Sequence, residues 1–282
     1  MQNKILNFDK PLLMGILNVT VDSFFDGGKY LEEKCLSKRL KQIMEEGADI
    51  IDIGAQSTFA GRKEVPFKEE SEKILNAMKI FLRTKDKEKI LISIDTYQSQ
   101  VAQIALENGA DMINDVTAMR KDPLMPEVIA KFGCPIVLMY AKEDNARTTM
   151  DNVDYDDIIS VLKKFFEERI SFAISRGVKK EQIILDPGMG FFISGKAKYS
   201  FEILHRLKEL KEYFKLPILV GTSRKSFLSC GGKYGPEERL EGSLISAGIA
   251  VLNGANLIRA HDVKATKKVL EIIKNMYNTD TN

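Results

Sequence analysis

Short apolar runs alternate with longer charged segments along all 282 residues of the chain. The runs are LLMGILN from Leu12, DIIDIG from Asp49, ILISID from Ile90, DMINDV from Asp111, IVLMY from Ile136, IILDPG from Ile183, PILVGTS from Pro217 and NLIRAHD from Asn256. Each has the length and composition of a buried strand. Between them, segments such as YLEEKCLSKRLKQIMEE and VLKKFFEERISFAISR have the amphipathic period of helices and predict an outer helical layer. Strands and helices in strict alternation make a parallel sheet, and eight such units at this length predict the α/β class and a (β/α)8 TIM barrel. A doubly wound open sheet is the alternative. With no low-complexity linker and no break in composition, residues 1–282 read as one domain.

A weak internal repeat supports the barrel. EEGADIIDI, ENGADMIND and LNGANLIRA share a frame in which a helix stops at Gly47, Gly109 or Gly254 and a strand follows at once. The same count onward from each glycine reaches Asp52, Asn114 and Arg259, so three strands carry a polar residue at one height. Asn18, Asp95, Asp186 and the run Ser223, Arg224, Lys225 likewise follow their apolar stretches. A lone aspartate at a strand end is an ordinary turn former or helix cap. In a barrel, however, all these ends converge on one mouth, where active sites of the architecture lie.

Composition narrows the chemistry. Lys and Arg total 42 against 40 Asp and Glu, and this near balance excludes a global basic field for nucleic acid or membrane. No apolar run reaches the roughly 18 residues of a membrane helix, and MQNKILNFDKPLL lacks the apolar core of a signal peptide, so a cytoplasmic protein is expected. Three scattered cysteines and two histidines, His205 and His261, argue against a disulfide framework or structural zinc. His205 reads as a surface helix residue.

Two subsites emerge at the predicted mouth. Asp52, Asp95, Asn114, Asp115 and Asp186 offer acceptors for the N–H groups of a planar heterocycle. Ser223, Arg224, Lys225, Arg259 and His261, after the seventh and eighth strands, offer a phosphate cradle. The ligand these predict is a polar ring joined to a phosphate. The connection NVTVDSFFDGG contains Asp22 and Asp26, candidates for holding Mg²⁺ or for stabilising positive charge on a substrate; an ordinary turn is the alternative. With QSTFAGRKEV it has the mixed polar composition of a covering loop.

The motifs MGILNVTVDSFFDGG, DIGAQST, IDTYQSQ, INDV, LDPGMGF, TSRKSFL and RAHDV, in that order, resemble those of the dihydropteroate synthases. The resemblance implies a barrel that is commonly a homodimer. It implies a reaction joining 6-hydroxymethyl-7,8-dihydropterin pyrophosphate to p-aminobenzoate, with Mg²⁺ present. It assigns Asp95, Asn114, Asp186 and Lys225 to the pterin, with Asn18, Arg259 and His261 to pyrophosphate and Mg²⁺. Thr58, Gly221 and Ser223 join the substrate-binding set, Thr58 and Ser223 toward p-aminobenzoate. Asp22, Asp26, Lys225 and Arg259 are the expected catalytic residues, the two aspartates shielding a pterin methylene cation formed as the C–O bond breaks.

The departures from the family pattern are specific. Phe59 stands where most members have an arginine, with Arg62 a candidate substitute, and Tyr140 stands where a histidine is usual. DPGMGFFIS, DSFFD and FFEERI resemble the sulfonamide-resistant, Sul-type branch, in which an added phenylalanine borders the p-aminobenzoate pocket. Phe191 or Phe192 is that ring on this reading; packing between the barrel and its sixth helix is the alternative. A corrinoid-dependent pterin methyltransferase and a non-catalytic pterin-binding paralogue are the rival functions.

Overall fold

Runs of Val, Ile and Leu without alternation suit strands covered on both faces. The computed structural model, which describes residues 6–19, 29–56, 63–83, 90–144 and 146–278, contains eight of them. They are β1 (Leu12–Asn18), β2 (Ile50–Gly54), β3 (Leu91–Asp95), β4 (Met112–Asp115), β5 (Ile136–Met139), β6 (Ile183–Asp186), β7 (Leu219–Val220) and β8 (Leu257–Ala260). All pair in parallel in the order β6-β5-β4-β3-β2-β1-β8-β7. A bridge between Leu185 and Ile218 joins the two ends, with the Leu185 N–H donating to the Pro217 carbonyl at 2.9 Å. The sheet is therefore closed into the expected TIM barrel, and the open sheet is excluded. β7 is shorter than its apolar run because the Asn256 side chain, not a neighbouring strand, accepts the Ile218 N–H at 3.1 Å.

The helices among the described residues are α1 (Lys29–Glu45), α2 (Phe67–Leu82), α3 (Ser99–Glu107), α4 (Met125–Phe132), α5 (Ile158–Ser175), α6 (Lys198–His205), α7 (Leu207–Phe214), α8 (Leu240–Leu252) and α9 (Val263–Asn278). The sixth unit has two helices because the chain breaks at Arg206, whose guanidinium binds Asp157, Glu202 and Glu209 at 2.7 to 2.8 Å. His205 ends α6 in an exposed position, as expected.

The period-two alternation of a strand decides what each face does. Outward residues such as Leu13, Ile51, Ile94, Ile113, Leu138, Leu185 and Ile258 pack against Leu40, Ile74, Ile129, Leu162 and Ile203 of the helical layer. Inward, Leu12, Met14, Ile50, Met112, Val137, Ile184, Leu219 and Leu257 form a buried plug. Burial of each such side chain is worth about 1.5–3 kcal/mol, so the N-terminal end of the barrel stays closed. Two residues further along β2, β4, β6 and β8 the inward positions become polar, at Asp52, Asn114, Asp186 and Arg259. The site can open only at the C-terminal end.

Candidate active site

Of the three residues predicted to lie at one height, Asp52 binds both others. The fully buried Asp52 carboxylate accepts from Asn114 Nδ2 at 3.0 Å and from Arg259 Nε at 2.7 Å, both at Oδ2. Arg259 Nη2 donates to Asp95 at 2.7 Å. One guanidinium thus joins two carboxylates across β2, β3 and β8. Burial pulls the Arg259 pKa down, but Asp52 and Asp95 outweigh it and the net direction is upward. Asp95 is pushed up by burial, with Arg259 opposing and Asp52 adding to the rise.

Asp186 ends β6 in the buried mouth, and its Oδ1 accepts the Gly188 N–H at 2.8 Å. Burial raises its pKa to about 6, against the pull of Lys225. Gly188 has φ of +69°, and a Cβ there would lie 2.4 Å from the Tyr140 carbonyl oxygen. Only glycine lets the chain turn back so closely beneath the carboxylate. Gly190 follows with φ of +66°, and the turn Gly190–Phe192 lays the two phenylalanines over the barrel.

The two rings have different surroundings. Phe192 packs on Tyr97, Val116, Met139, Ala141 and Ala146 at the ends of β3, β4 and β5. Lys225 Nζ stands 4.6 Å above its ring and donates to the Met189 carbonyl at 3.3 Å. Phe191 is half-buried and does not belong to that cluster. Burial lowers the Lys225 pKa to about 8, with Asp186 opposing.

On the other side of the mouth, Ser223 Oγ lies 3.2 Å from both the backbone nitrogen and Nδ1 of His261. Burial, followed by the positive charge of Arg259, lowers the imidazole to about 4, so it is neutral at pH 7. Gly221 faces Arg259, whose Cβ would be 3.7 Å from any added side chain. Asn18 is exposed at the end of β1, opposite Gly54.

Two residues placed at the mouth by sequence do other work. Asp115 is fully buried and accepts from Thr117 N–H, Thr117 Oγ1 and Met119 N–H at 2.7 to 2.8 Å. It follows Asn114 directly, so the alternation turns it away from the ligand side. Arg224 binds Asp262 bidentately at 2.9 and 2.8 Å, which turns the face carrying Nε and Nη2 toward that carboxylate. Its φ of +56° is held by Ser243, which accepts its N–H at 2.8 Å, and by Arg239, which donates to its carbonyl at 3.1 Å. Such strain persists where partners over-determine it, and here it separates the directions of Ser223 and Lys225. Asp22, Asp26, Thr58, Phe59 and Arg62 lie outside the described residues.

Other contributors have no sequence signature. Fully buried Glu70 of α2 accepts from Gln56 and Gln98, and Arg147 donates to Gln56 Oε1 at 3.0 Å and to the Lys63 carbonyl at 3.2 Å. Burial raises the Glu70 pKa, with its hydrogen bonds opposing. Tyr140 also has a place: its ring meets Phe165 edge-on at 5.0 Å and its hydroxyl lies 3.3 Å from that of Tyr155.

A closed barrel with buried acids, an amide and a cation around one mouth is a site for a polar planar ligand. The family described as pterin binding enzyme matches residues 14–261. The dihydropteroate synthase of Escherichia coli K12 is 36% identical over 274 residues, covering 97% of this chain and 94% of that protein. That of Synechocystis is 39% identical over 267 residues, covering 93% and 89%. The solved structure of Xanthomonas albilineans dihydropteroate synthase with 4-aminobenzoic acid superposes with a TM-score of 0.86 at 34% identity, covering 96% of this chain and 95% of that one. The chain belongs to the pterin-binding enzymes. Within that family its activity is that of the dihydropteroate synthases, transferases of folate biosynthesis. The relatives do not favour the methyltransferase or the non-catalytic alternative.

Proposed function

We propose that this mouth joins 6-hydroxymethyl-7,8-dihydropterin pyrophosphate to p-aminobenzoate, releasing pyrophosphate, and that it does so with reduced sensitivity to sulfonamides. The observation that carries the first part is the buried pair Asn114 and Asp186, with half-buried Asp95, beside Lys225. The free oxygen face of ionised Asp186 accepts paired hydrogen bonds from the pterin amino group and ring N–H, a geometry that selects that donor edge. Asn114, held at its Nδ2 by Asp52, presents its carbonyl oxygen to the same ring, and Asp95 and Lys225 flank it.

Pyrophosphate lies on Arg259, Ser223 and neutral His261, beside Gly221. Mg²⁺ fits as a partly hydrated ion: the Asn18 carboxamide is a hard oxygen donor, and substrate phosphates supply most ligands of such ions. Among the described residues no cluster of three His, Cys, Asp or Glu side chains forms a protein cage for it. When bound, the ion neutralises charge on the departing pyrophosphate.

The C–O bond of the pterin methylene breaks with its electron pair going to pyrophosphate. The neutral aromatic amine then forms the C–N bond and loses a proton to water. Asp22 and Asp26 shield the intervening cation, and Thr58 contacts p-aminobenzoate. The Phe192 ring, over Met139 and under Lys225, borders the p-aminobenzoate side of the mouth. A ring there clashes with the tetrahedral, bulkier sulfonyl group more than with a flat carboxylate. The active form is a homodimer, an expectation supported by apolar Ile245 and Leu252 of α8 and Ile272 of α9, which are 65%, 48% and 63% exposed on adjacent helices.

The test is pyrophosphate release from the purified protein with both substrates and Mg²⁺, repeated across a sulfamethoxazole titration and with Phe192→Ala. Turnover that persists at drug levels blocking the Escherichia coli enzyme, and becomes sensitive in Phe192→Ala, is expected. Turnover abolished by the drug in the unmodified protein removes the resistance claim. No turnover at all removes the synthase reading.

A further inference from the structure

The segment after β5 runs between the Asp115 turn and the turn carrying Phe191 and Phe192. Lys142 in that segment holds both aromatic residues by their backbones. Its N–H donates to the Phe192 carbonyl at 2.8 Å, and its Nζ donates to the Phe191 carbonyl at 2.9 Å. The same ammonium donates to the Thr149 carbonyl at 2.7 Å, tying the turn to the middle of the β5–α5 connection.

Arg120 secures this segment from the other side. Its Nη2 donates to the Ala141 and Glu143 carbonyls at 2.9 and 2.6 Å, and its guanidinium lies 5.1 Å from the Phe165 ring centre. Arg120 is itself anchored by Nε to the Thr117 carbonyl at 3.0 Å, within the turn built on Asp115. Contacts therefore run without a gap from the buried Asp115 turn to the Phe192 ring.

An ammonium is an unusual choice for bracing backbone carbonyls, because it must be partly dehydrated. The same dehydration lowers the Lys142 pKa, with Glu143 and Asp151 opposing. What it offers in return is several charge-assisted donors on one tip, enough to fix two carbonyls from different segments. A 3₁₀ turn is short and weakly held by its own hydrogen bonds, so an outside tether decides where its side chains point.

We infer that Lys142 is a positioning residue for substrate selection: it fixes the Phe191–Phe192 turn so that the Phe192 ring stands over the p-aminobenzoate side of the mouth. This rests on the reading of Phe192 given under the proposed function. Lys142 acts through Phe192 and touches no reacting atom.

The experiment is a double-mutant cycle on the full-length enzyme with Lys142→Met, Phe192→Ala and both together. Lys142→Gln serves as a second uncharged variant if Lys142→Met folds poorly, and Lys142→Arg as the rescue. The readouts are kcat, KM for p-aminobenzoate, pterin Kd, and the ratio of sulfamethoxazole Ki to KM for p-aminobenzoate. Lys142→Met is expected to raise that KM and lower the ratio by about tenfold, the loss of one charge-assisted tether, with kcat and pterin Kd changed less than about twofold. Lys142→Arg is expected to recover most of the ratio, and in the Phe192→Ala background Lys142→Met is expected to add almost nothing. A lowered melting temperature with an unchanged ratio would reduce Lys142 to a structural brace and overturn the inference, as would additive effects in the double mutant. If Phe192→Ala shifts the ratio while both uncharged Lys142 variants leave it alone, only the inference falls. An inert Phe192→Ala removes the reading of Phe192 and the inference with it.

Discussion

Replacing Gly188 with alanine is the sharpest probe of the mouth, and Gly109 provides its control. Both glycines have positive φ, +69° and +98°, so alanine at either carries the left-handed backbone cost of about 1–2 kcal/mol. At Gly109 nothing lies within 4 Å of the added Cβ, and the cost stops there. At Gly188 the Cβ would lie 2.4 Å from the Tyr140 carbonyl oxygen, which is backbone and cannot rotate away. Tyr140 is in turn fixed by its N–H, which donates to the Asp186 carbonyl at 2.8 Å. Relief therefore has to move the Asp186 turn and break the Gly188 N–H bond to the carboxylate, a further cost of about 1.5–3 kcal/mol for a bond to a charged group. Gly188→Ala is expected to cost about 2.5–5 kcal/mol in all and to lower the melting temperature by roughly 5–15 °C. Gly109→Ala is expected to lower it by roughly 2–6 °C. Pterin affinity, measured by calorimetry with the pterin pyrophosphate, is expected to weaken at least about tenfold in Gly188→Ala and to stay unchanged in Gly109→Ala. Equal melting temperatures for the two variants, or unaltered pterin affinity in Gly188→Ala, would refute the reasoning.

Three more outcomes are expected. Asp186 has its pKa raised to about 6, so its ionisation weakens folding, and the stability linked to its proton is present at low pH and lost as pH rises through that value. On the proposed role of Asp186, pterin binding uses the ionised form and runs the other way: affinity is expected to fall about tenfold per pH unit below about 6, and calorimetry showing no proton release there would contradict the assignment. Asp52→Asn keeps an acceptor for Asn114 but removes the charge facing Arg259; a loss of about 1–2 kcal/mol in denaturant titration is expected, and an unchanged midpoint would show that this ion pair carries no net stability. Leu252→Glu puts a charge on the exposed apolar face of α8, and it is expected to convert the proposed dimer to a monomer in sedimentation without lowering the melting temperature of the barrel; an unaltered sedimentation coefficient would remove α8 as the dimer face.

Much of this enzyme is determined by local pattern. The apolar runs and their spacing specify eight strands, because only a buried parallel sheet accommodates such stretches between amphipathic helices. The glycine frame at Gly47, Gly109 and Gly254 sets equal counts to Asp52, Asn114 and Arg259, and equal counts on parallel strands bring residues to one height, where these three are found hydrogen-bonded. Even the exclusion of Asp115 follows from alternation, since neighbouring strand residues face opposite ways.

Charge pairing and loop packing were decided only in three dimensions. Arg224 reads as part of a phosphate cradle, and its pairing with Asp262, 38 residues away, has no local signature. Glu70 is one of three acidic residues in α2, and its burial under Gln56 and Gln98 depends on where another connection lands. The choice between Phe191 and Phe192 has no periodic rule, because a 3₁₀ turn has no fixed face and its tether at Lys142 comes from 49 residues earlier in the chain. Periodicity is a property of the backbone and is written locally. Which charge finds which partner, and which ring overlooks the mouth, depends on distances that exist only once the barrel has closed.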